Sequence, residues 1–523
     1  MRECGLGGGI CQCRRPRFLI RQATDYLLAA KTMVSEKCSI ATEHPLASLA
    51  GCEALRTGGT AFDAAVAASF ALSVVLPHLN GMGGDFFALF YDGRSGKVRC
   101  LNGSGWAPSG LTIEALRSQN MTEMPLFGPN SVVVPGMVRG VEELHRMFGR
   151  AEFGPLLGSA VKLAEEGFPV SAGLARALER NRGNLASDAL RAFGAEGLGP
   201  QPGEVMRQSR LAERIKEVAD GGSEEFYQGA AADDIIEALA AEGMEVGRED
   251  FSFDPEWAEP LSMEYRGRQV FEVPPNSMGA ATLMILRQLE EEEPPAPDSL
   301  ERVMRVTEAT KVALAAKDEF LGDPRFVSFD LETFLNSRHM RRGPVPKGDT
   351  TYFAVADDEG NLLSCIQSLF HPFGSRIYLR DSGFFLNNRA SSFKLEGPNQ
   401  LAPRKRPVHT LSALLLSRRR DESPFLAMGT SAGERRPQLH ALFVSNVLDY
   451  GMDVEAALSY PRFVWTGDET LVERGYKVEE GQIPGLRIVD YPFHQGVAQG
   501  IELTPQGKKA ACDVRGDGAP LGF

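Results

Sequence analysis

Lys347-Gly348-Asp349-Thr350-Thr351-Tyr352-Phe353-Ala354-Val355-Ala356-Asp357-Asp358-Glu359-Gly360-Asn361-Leu362-Leu363-Ser364 is the stretch on which the reading of this chain turns. Thr351 to Ala356 and Leu362 to Leu369 read as two strands joined by a turn at Glu359-Gly360-Asn361. Two adjacent threonines at the head of a strand are ordinary β chemistry, because β-branched side chains suit a pleated surface. The same pattern also suits an internal nucleophile. A threonine hydroxyl is weakly nucleophilic unless a base adjoins it, and a free α-amine on the same residue supplies one. An unperturbed α-amine titrates at about 7.7–8.0, so part of it accepts a proton near neutrality. That chemistry requires the Asp349–Thr350 peptide bond to break first.

Working outward, the residues before this hairpin are mostly helical in pattern. Pro45 to Val75 reads as two buried helices divided at Gly58-Gly59, with Asp63 early in the second, where a carboxylate suits the positive end of the dipole. The Gly-rich segment Asn80 to Asp85 precedes a strand over Phe86–Tyr91. Helical texture covers 111–247, and Tyr265 to Val273 reads as one strand. Helices are expected over 280–292 and 302–321, the second amphipathic and stopped by Gly322-Asp323-Pro324. After Thr350, short strands recur at 383–386, 411–416 and 425–428, followed by a helix over 438–449. The pattern implies a layered α/β protein whose antiparallel sheet is completed by its last third.

Composition narrows the function class. The 523 residues carry 56 Lys and Arg against 69 Asp and Glu, a net charge of −13. No basic face is implied, so nucleic acid is not an expected partner. No run of 18 apolar residues occurs, so no membrane span is expected either. The eight cysteines show no paired zinc spacing, and no metal is expected. They read as free thiols of a reducing, cytoplasmic compartment. Residues 1–38 read as an extension foreign to the remainder of the chain, interrupted by Arg14, Arg15, Arg17 and Arg21 and lacking a clean signal-peptide pattern. Met33 is an alternative start.

Ordered blocks along the chain resemble the γ-glutamyltransferase family from about Ser39 to Gly518. They include Ala41-Thr42-Glu43-His44-Pro45-Leu46-Ala47-Ser48, Pro77-His78-Leu79-Asn80-Gly81-Met82-Gly83-Gly84, Lys317-Asp318-Glu319-Phe320-Leu321-Gly322-Asp323-Pro324 and Asp513-Val514-Arg515-Gly516-Asp517-Gly518. The resemblance implies an N-terminal-nucleophile (Ntn) hydrolase, an α/β fold built as a four-layer αββα sandwich with antiparallel sheets. It also implies self-cleavage between Asp349 and Thr350. That cut leaves a large segment, 39–349 behind its extension, and a small segment, the remaining 174 of 523 residues over 350–523, both in one domain. Thr350 then matches the family nucleophile and Thr351 its neighbouring threonine. Ser368 matches a hydroxyl that bonds the nucleophile, and Ala432 and Gly433 match the glycine pair whose amides form the oxyanion hole. No cofactor is implied. The partners implied are a small-molecule amide, with water or an amine as acceptor, and an αβ heterodimer of the two segments.

Departures from the family pattern fall in the substrate pocket. Ser104 stands where the family has a carboxylate-binding Arg, and Ser392 where an acid holds the α-amine. Phe370 replaces an Asn, and His409 and Thr410 replace a pair of Ser. Each lost charged hydrogen bond is worth about 1.5–3 kcal/mol. Arg139, Arg376 and Arg389 are the candidates to replace the clamp. Ile366 to His371, Asn388 to Phe393 and Lys405 to Leu411 resemble a branch of the family that includes oxamate amidohydrolase, so a non-glutamyl small amide is an alternative substrate. The short connection from Phe393 to Arg406 implies no long lid.

Two rival readings remain. Gly429-Thr430-Ser431-Ala432-Gly433 satisfies the G-x-S-x-G elbow, with Asp490 and His494 in the expected order for a serine hydrolase. An uncleaved, non-catalytic relative acting as a binding protein is the other. His44 and His78 flank prolines and read as turn-holding residues, whereas His409 suits either a structural bond or the pocket lining. The Gly81–Gly84 loop precedes a strand, not a helix, so it reads as a close backbone approach rather than a dinucleotide site.

Overall fold

The computed structural model describes residues 31–197, 199–341, 343–345, 348–419 and 423–523. The hairpin quoted above lies at the centre of a seven-stranded sheet. Its arms, Asp349–Ala356 and Leu362–Phe370, pair antiparallel with Thr351 opposite Gln367 and Val355 opposite Leu363. The first arm is flanked by Ser39–Thr42 and then Ala519–Gly522, and the second by Asp85–Asp92, Lys97–Gly103 and Glu256–Ala258. The turn is held by Asp357, whose Oδ1 accepts the amides of Glu359 and Asn361, each at 3.0 Å. Its Oδ2 accepts the Ala61 amide at 2.8 Å, tying the turn to the helix Ala61–Val75.

A second seven-stranded antiparallel sheet contains, in order, Lys31–Ser35, Gly507–Cys512, Ala498–Thr504, Pro424–Thr430, Leu414–Ser417, Arg268–Glu272 and Leu261–Tyr265. Side chains alternate across each strand, and this period of two sorts them into layers. Tyr352, Ala354 and Ile366 of the first sheet meet Leu415, Ala427 and Ile501 of the second between the sheets. Phe353, Val355, Leu363 and Cys365 point the other way, into helices Pro45–Arg56, Ala61–Val75 and Met137–Phe148. Helices Gly279–Glu290, Leu300–Phe320 and Arg436–Leu448 cover the outer face of the second sheet. The result is the expected four-layer αββα sandwich.

Every residue of the helix Ala61–Val75 is buried, which explains its composition of small and apolar side chains. Its one charged residue, Asp63, closes a capping box. Asp63 Oδ2 accepts the Thr60 amide at 2.7 Å, and Asp63 Oδ1 accepts the Arg150 amide at 3.0 Å. That carboxylate ties two segments together as well as starting a helix.

Two expectations change. The single strand over Tyr265–Val273 is a tight hairpin, Leu261–Tyr265 and Arg268–Glu272, because Arg266 and Gly267 both adopt positive φ, 50° and 73°. Two such residues in succession are the signature of a two-residue reversal. The boundary at residue 38 also moves: Lys31–Ser35 pairs with Gly507–Cys512, and Met33 lies inside that strand, opposite Ala510. The rest of the 1–38 extension before Lys31, with Cys4, Cys11 and Cys13, lies outside the described residues. The other five cysteines are buried and unpaired. No helix among the described residues is long and apolar enough to cross a membrane.

Candidate active site

Thr350 lies one residue into the central strand, where the pairing with the second arm shifts between Asp349 and Thr351. This irregularity releases Thr350 from strict alternation and turns its hydroxyl toward the peptide group that precedes it. Thr350 Oγ1 donates to the Asp349 carbonyl oxygen at 2.7 Å and lies 3.1 Å from Ser368 Oγ. Ser368 Oγ lies 2.8 Å from the same carbonyl oxygen and accepts the Phe370 amide at 2.7 Å. Both hydroxyls are fully buried. Phe370 has φ 87°, an uncommon conformation for a non-glycine residue, and that bend brings its amide back onto Ser368.

The Gly-rich loop packs behind this pair. A Cβ on Gly84 would lie 2.5 Å from the Ser368 carbonyl oxygen, and one on Gly83 would lie 2.2 Å from the Phe385 carbonyl oxygen. Only a bare backbone fits there, as a close-approach role for the loop requires. Ala432 and Gly433 follow the strand Pro424–Thr430 and open a 3-10 turn over Gly433–Arg435, with Gly433 at φ 57°. The first amides of such a turn have no partner within it. A Cβ at Gly348 would lie 3.1 Å from the Gly433 Cα and 3.2 Å from the Phe370 ring. The strand entering the Asp349–Thr350 bond therefore runs between the 3-10 turn and Phe370.

Phe370, His371, Ser392, Thr410, Lys317 and Glu434 are among the residues lining a cleft of about 240 Å³. Of the six residues expected in the pocket, Phe370, Ser392 and Thr410 reach it. The other three do not line it. Ser104 is buried and donates to Asn102 Oδ1 at 2.7 Å. His409 is turned into the sandwich, where its Nε2 bonds Asp85 Oδ2 at 3.0 Å. Burial, followed by the nearby Arg389 charge, pushes the His409 pKa down to about 3, so it is a neutral structural histidine. Arg389 sits just behind the wall. Its Nη1 donates to Thr410 Oγ1 at 3.0 Å, and its guanidinium lies 4.1 Å from the centre of the Phe370 ring. The other two clamp candidates are committed elsewhere: Arg139 pairs with Glu224 and stacks on Tyr227, and Arg376 lies over Phe127.

Sequence reasoning missed a charged cluster beside the 3-10 turn Gly433–Arg435. Lys317 Nζ lies 2.6 Å from Glu434 Oε1 and 2.6 Å from Asp318 Oδ1, and Arg341 Nη1 lies 3.1 Å from Glu434 Oε2. A signal was present. Thr310, Ala313 and Lys317 lie on the buried stripe of the helix Leu300–Phe320, and a lysine on such a stripe needs a partner. Glu43 was also missed as a site residue. It is buried close to Asp349 and Thr351, and burial, then the Asp349 charge, holds its carboxyl well above the usual range.

The serine-hydrolase elbow does not assemble. Ser431 Oγ accepts the Val497 amide at 2.9 Å, and Asp490 is exposed and paired with Arg474 at 2.7 Å. His44 caps the helix Pro45–Arg56, its Nδ1 accepting the Leu46 amide at 3.2 Å.

Two packed antiparallel sheets between helical layers, with a hydroxyl residue leading a central strand, define an Ntn-hydrolase fold. The chain belongs to the gamma-glutamyltranspeptidase family, whose family model matches residues 47–523. It is 35% identical over 94% of its length to the whole of a glutathione hydrolase-like YwrD proenzyme of Bacillus subtilis. It is 30% identical to an oxamate amidohydrolase proenzyme of Klebsiella pneumoniae, over 92% of this chain and 97% of that one. Among solved structures, a cephalosporin acylase from Bacillus halodurans superposes with a TM-score of 0.86 at 32% identity, covering 96% of this chain and 98% of that one. The protein is accordingly a hydrolase or transferase of that family, and the Bacillus subtilis and Klebsiella pneumoniae relatives are named as proenzymes.

Proposed function

We propose that this chain cuts itself between Asp349 and Thr350 and then acts through Thr350 as an N-terminal threonine amidohydrolase or acyltransferase on γ-glutamyl-type or related small amides. The observation that carries the reading is the shared hydrogen bonding of Thr350 and Ser368 to the Asp349 carbonyl oxygen. A hydroxyl held against the carbonyl of its own preceding peptide is placed for an N-to-O acyl shift.

In that shift Thr350 Oγ adds to the Asp349 carbonyl carbon, the C–N bond breaks, and the amine takes the proton. Water then hydrolyses the ester, leaving the Asp349 carboxylate and a free Thr350 amine. In each turnover that amine accepts the proton of its own hydroxyl as Oγ attacks the substrate carbonyl. The negative charge on the carbonyl oxygen is met by the amides of Ala432 and Gly433. The proton passes to the departing amine, and water or a second amine resolves the acyl-enzyme. Thr351 and Ser368 hold the nucleophile in register. The two segments remain associated as an αβ heterodimer, since the cut falls inside a seven-stranded sheet to which both contribute. The five buried, unpaired cysteines support a reducing, cytoplasmic setting.

Intact mass spectrometry of the purified protein beside Thr350→Ala tests this. Two fragments meeting at Asp349–Thr350 in the wild type, and one chain in the variant, are expected. A wild-type chain that stays whole across pH and time refutes the catalytic reading and favours a binding protein.

A further inference from the structure

The chain that leads into the Asp349–Thr350 bond is gripped by residues that follow that bond in sequence. Arg435 ends the 3-10 turn Gly433–Arg435, and its Nε donates to the Val345 carbonyl oxygen at 3.1 Å. Its Nη1 donates to Oε1 of the buried Gln495 at 2.8 Å, which fixes the plane of the guanidinium. The Val345 amide in turn donates to the Thr466 carbonyl oxygen at 2.7 Å. Thr466 opens the turn between the paired strands Phe463–Trp465 and Thr470–Glu473, and its own amide closes that turn on the Glu469 carbonyl oxygen at 2.8 Å. Val345 thus has both backbone groups bonded, and its side chain is buried in the core outside the second sheet.

The residues just before Val345 are pressed onto the same hairpin. A Cβ on Gly467 would lie 2.2 Å from the Gly343 carbonyl oxygen and 2.4 Å from the Pro344 Cα, and Gly467 has φ 103°. Only glycine permits that approach in that conformation. Arg341 Nη2 donates to the Pro344 carbonyl oxygen at 3.0 Å, while its Nη1 lies 3.1 Å from Glu434 Oε2. The 3-10 turn therefore grips the incoming segment twice, through Glu434 and through Arg435.

Four residues, 346–349, separate Val345 from Thr350. On the far side of the bond the chain is fixed by strand pairing from Thr351 onward. Between the two anchors Gly348 comes back against the same turn, where a Cβ would lie 3.1 Å from the Gly433 Cα. Attack within a chain requires the hydroxyl and the carbonyl carbon to be held together, and a loose anchor on either side lets them drift apart.

We propose that Arg435 is a positioning residue for self-cleavage: by fixing the Val345 carbonyl it holds the incoming chain so that the Asp349 carbonyl stays against the Thr350 hydroxyl. This rests on the Thr350 reading above and concerns the cut, not the choice of substrate.

The rate of fragment appearance on gels after cell-free synthesis tests it. Arg435→Met keeps the length of the side chain, removes its donors and is expected to slow the cut by about tenfold or more. Arg435→Lys returns one donor and is expected to recover part of that loss. In a Thr350→Ala background, where no cut intervenes, the thermal midpoints of these two variants are expected to differ little, so that the difference in rate is not one of stability. Gly467→Ala dislodges Gly343 and Pro344 from the other side, leaves the guanidinium untouched and is expected to slow the cut as well. Arg435→Met cutting at the wild-type rate, or a slowing that Arg435→Lys does not relieve, overturns this inference and leaves the Thr350 reading intact. If Arg435→Met does not fold, Gly467→Ala decides, and cutting at the wild-type rate overturns the inference there too. A wild-type chain that stays whole overturns both.

Discussion

The hydroxyl groups of Thr350 and Ser368 lie 3.1 Å apart and converge on one acceptor, the Asp349 carbonyl oxygen. A donor aimed at that oxygen stabilises the charge that grows there as the bond is attacked. Removing one such donor from an oxyanion site costs about 10²–10³ in rate. Ser368→Ala is therefore expected to slow self-cleavage by about a hundredfold, read as the rate of fragment appearance on gels, with only a modest fall in the denaturation midpoint as the Phe370 amide loses its acceptor. Cleavage at the wild-type rate would show that Ser368 only packs against Thr350.

Gly84 supports the same hydroxyl from behind. A methyl group there would collide with the Ser368 carbonyl oxygen at 2.5 Å. The obstacle is backbone within a central strand, which cannot swing aside. Gly84→Ala is expected to abolish self-cleavage and to lower the thermal midpoint. Gly58→Ala meets no neighbour but forces a positive φ of 94°, so it is expected to be only modestly strained and to cut normally.

Much of this arrangement is legible in the sequence because it is periodic or local. The alternation along Thr351–Ala356 places the central strand, and the capping pattern from Thr60 to Asp63 places a helix start. The hairpin at Arg266-Gly267 is not legible, since Arg rarely takes a positive φ and Gly267 stands there without a second turn-forming residue. Position within a resemblance puts His409 and Ser104 in the pocket, but their orientation is set by Asp85 and Asn102, partners fixed only by the packed fold. Local sequence carries no record of such pairings. Arg389 shows the converse: its position is visible, but its place behind Thr410 and Phe370 is a property of the packed interior.

Burial makes the native state resist protonating four histidines. Desolvation pushes the pKa of His44, His78 and His371 down to about 4 and that of His409 to about 3, from an ordinary value of 6.5. The unfolded chain takes up those protons as pH falls below 6.5, and the native chain does not. Stability present above pH 6.5 is therefore lost on acidification toward pH 4, each group contributing about 1.4 kcal/mol per pH unit. Glu43 opposes this, because its raised pKa lets the native state bind a proton first. Glu217 and Glu502, also raised, oppose it in the same way, but the four histidines titrating together leave a net loss. The urea midpoint at pH 5 is expected to fall clearly below that at pH 7. A flat profile would mean that the histidines are hydrated in solution.

Glu434 ties the 3-10 turn Gly433–Arg435 to the helix Leu300–Phe320. Burial alone would raise its pKa, but Lys317 and then Arg341 outweigh that and hold it at about 2, against an ordinary 4.5. This contribution is present above pH 4.5 and is lost as pH falls toward 2, a window separate from that of the histidines. Removing one partner leaves the other with a single counter-charge in place of two, Arg341 for Glu434 or Asp318 for Lys317, whereas removing both leaves Arg341 and Asp318 to pair with each other. Lys317→Met alone and Glu434→Gln alone are each expected to destabilise by unbalancing the cluster and to reduce turnover, because Glu434 adjoins Gly433. The double variant is expected to recover much of the stability but not the turnover, since the neutral pair no longer fixes the turn. Additive losses in the denaturation midpoint of the double variant would show that the two side chains act independently, with Arg341 and Asp318 carrying the charge balance instead.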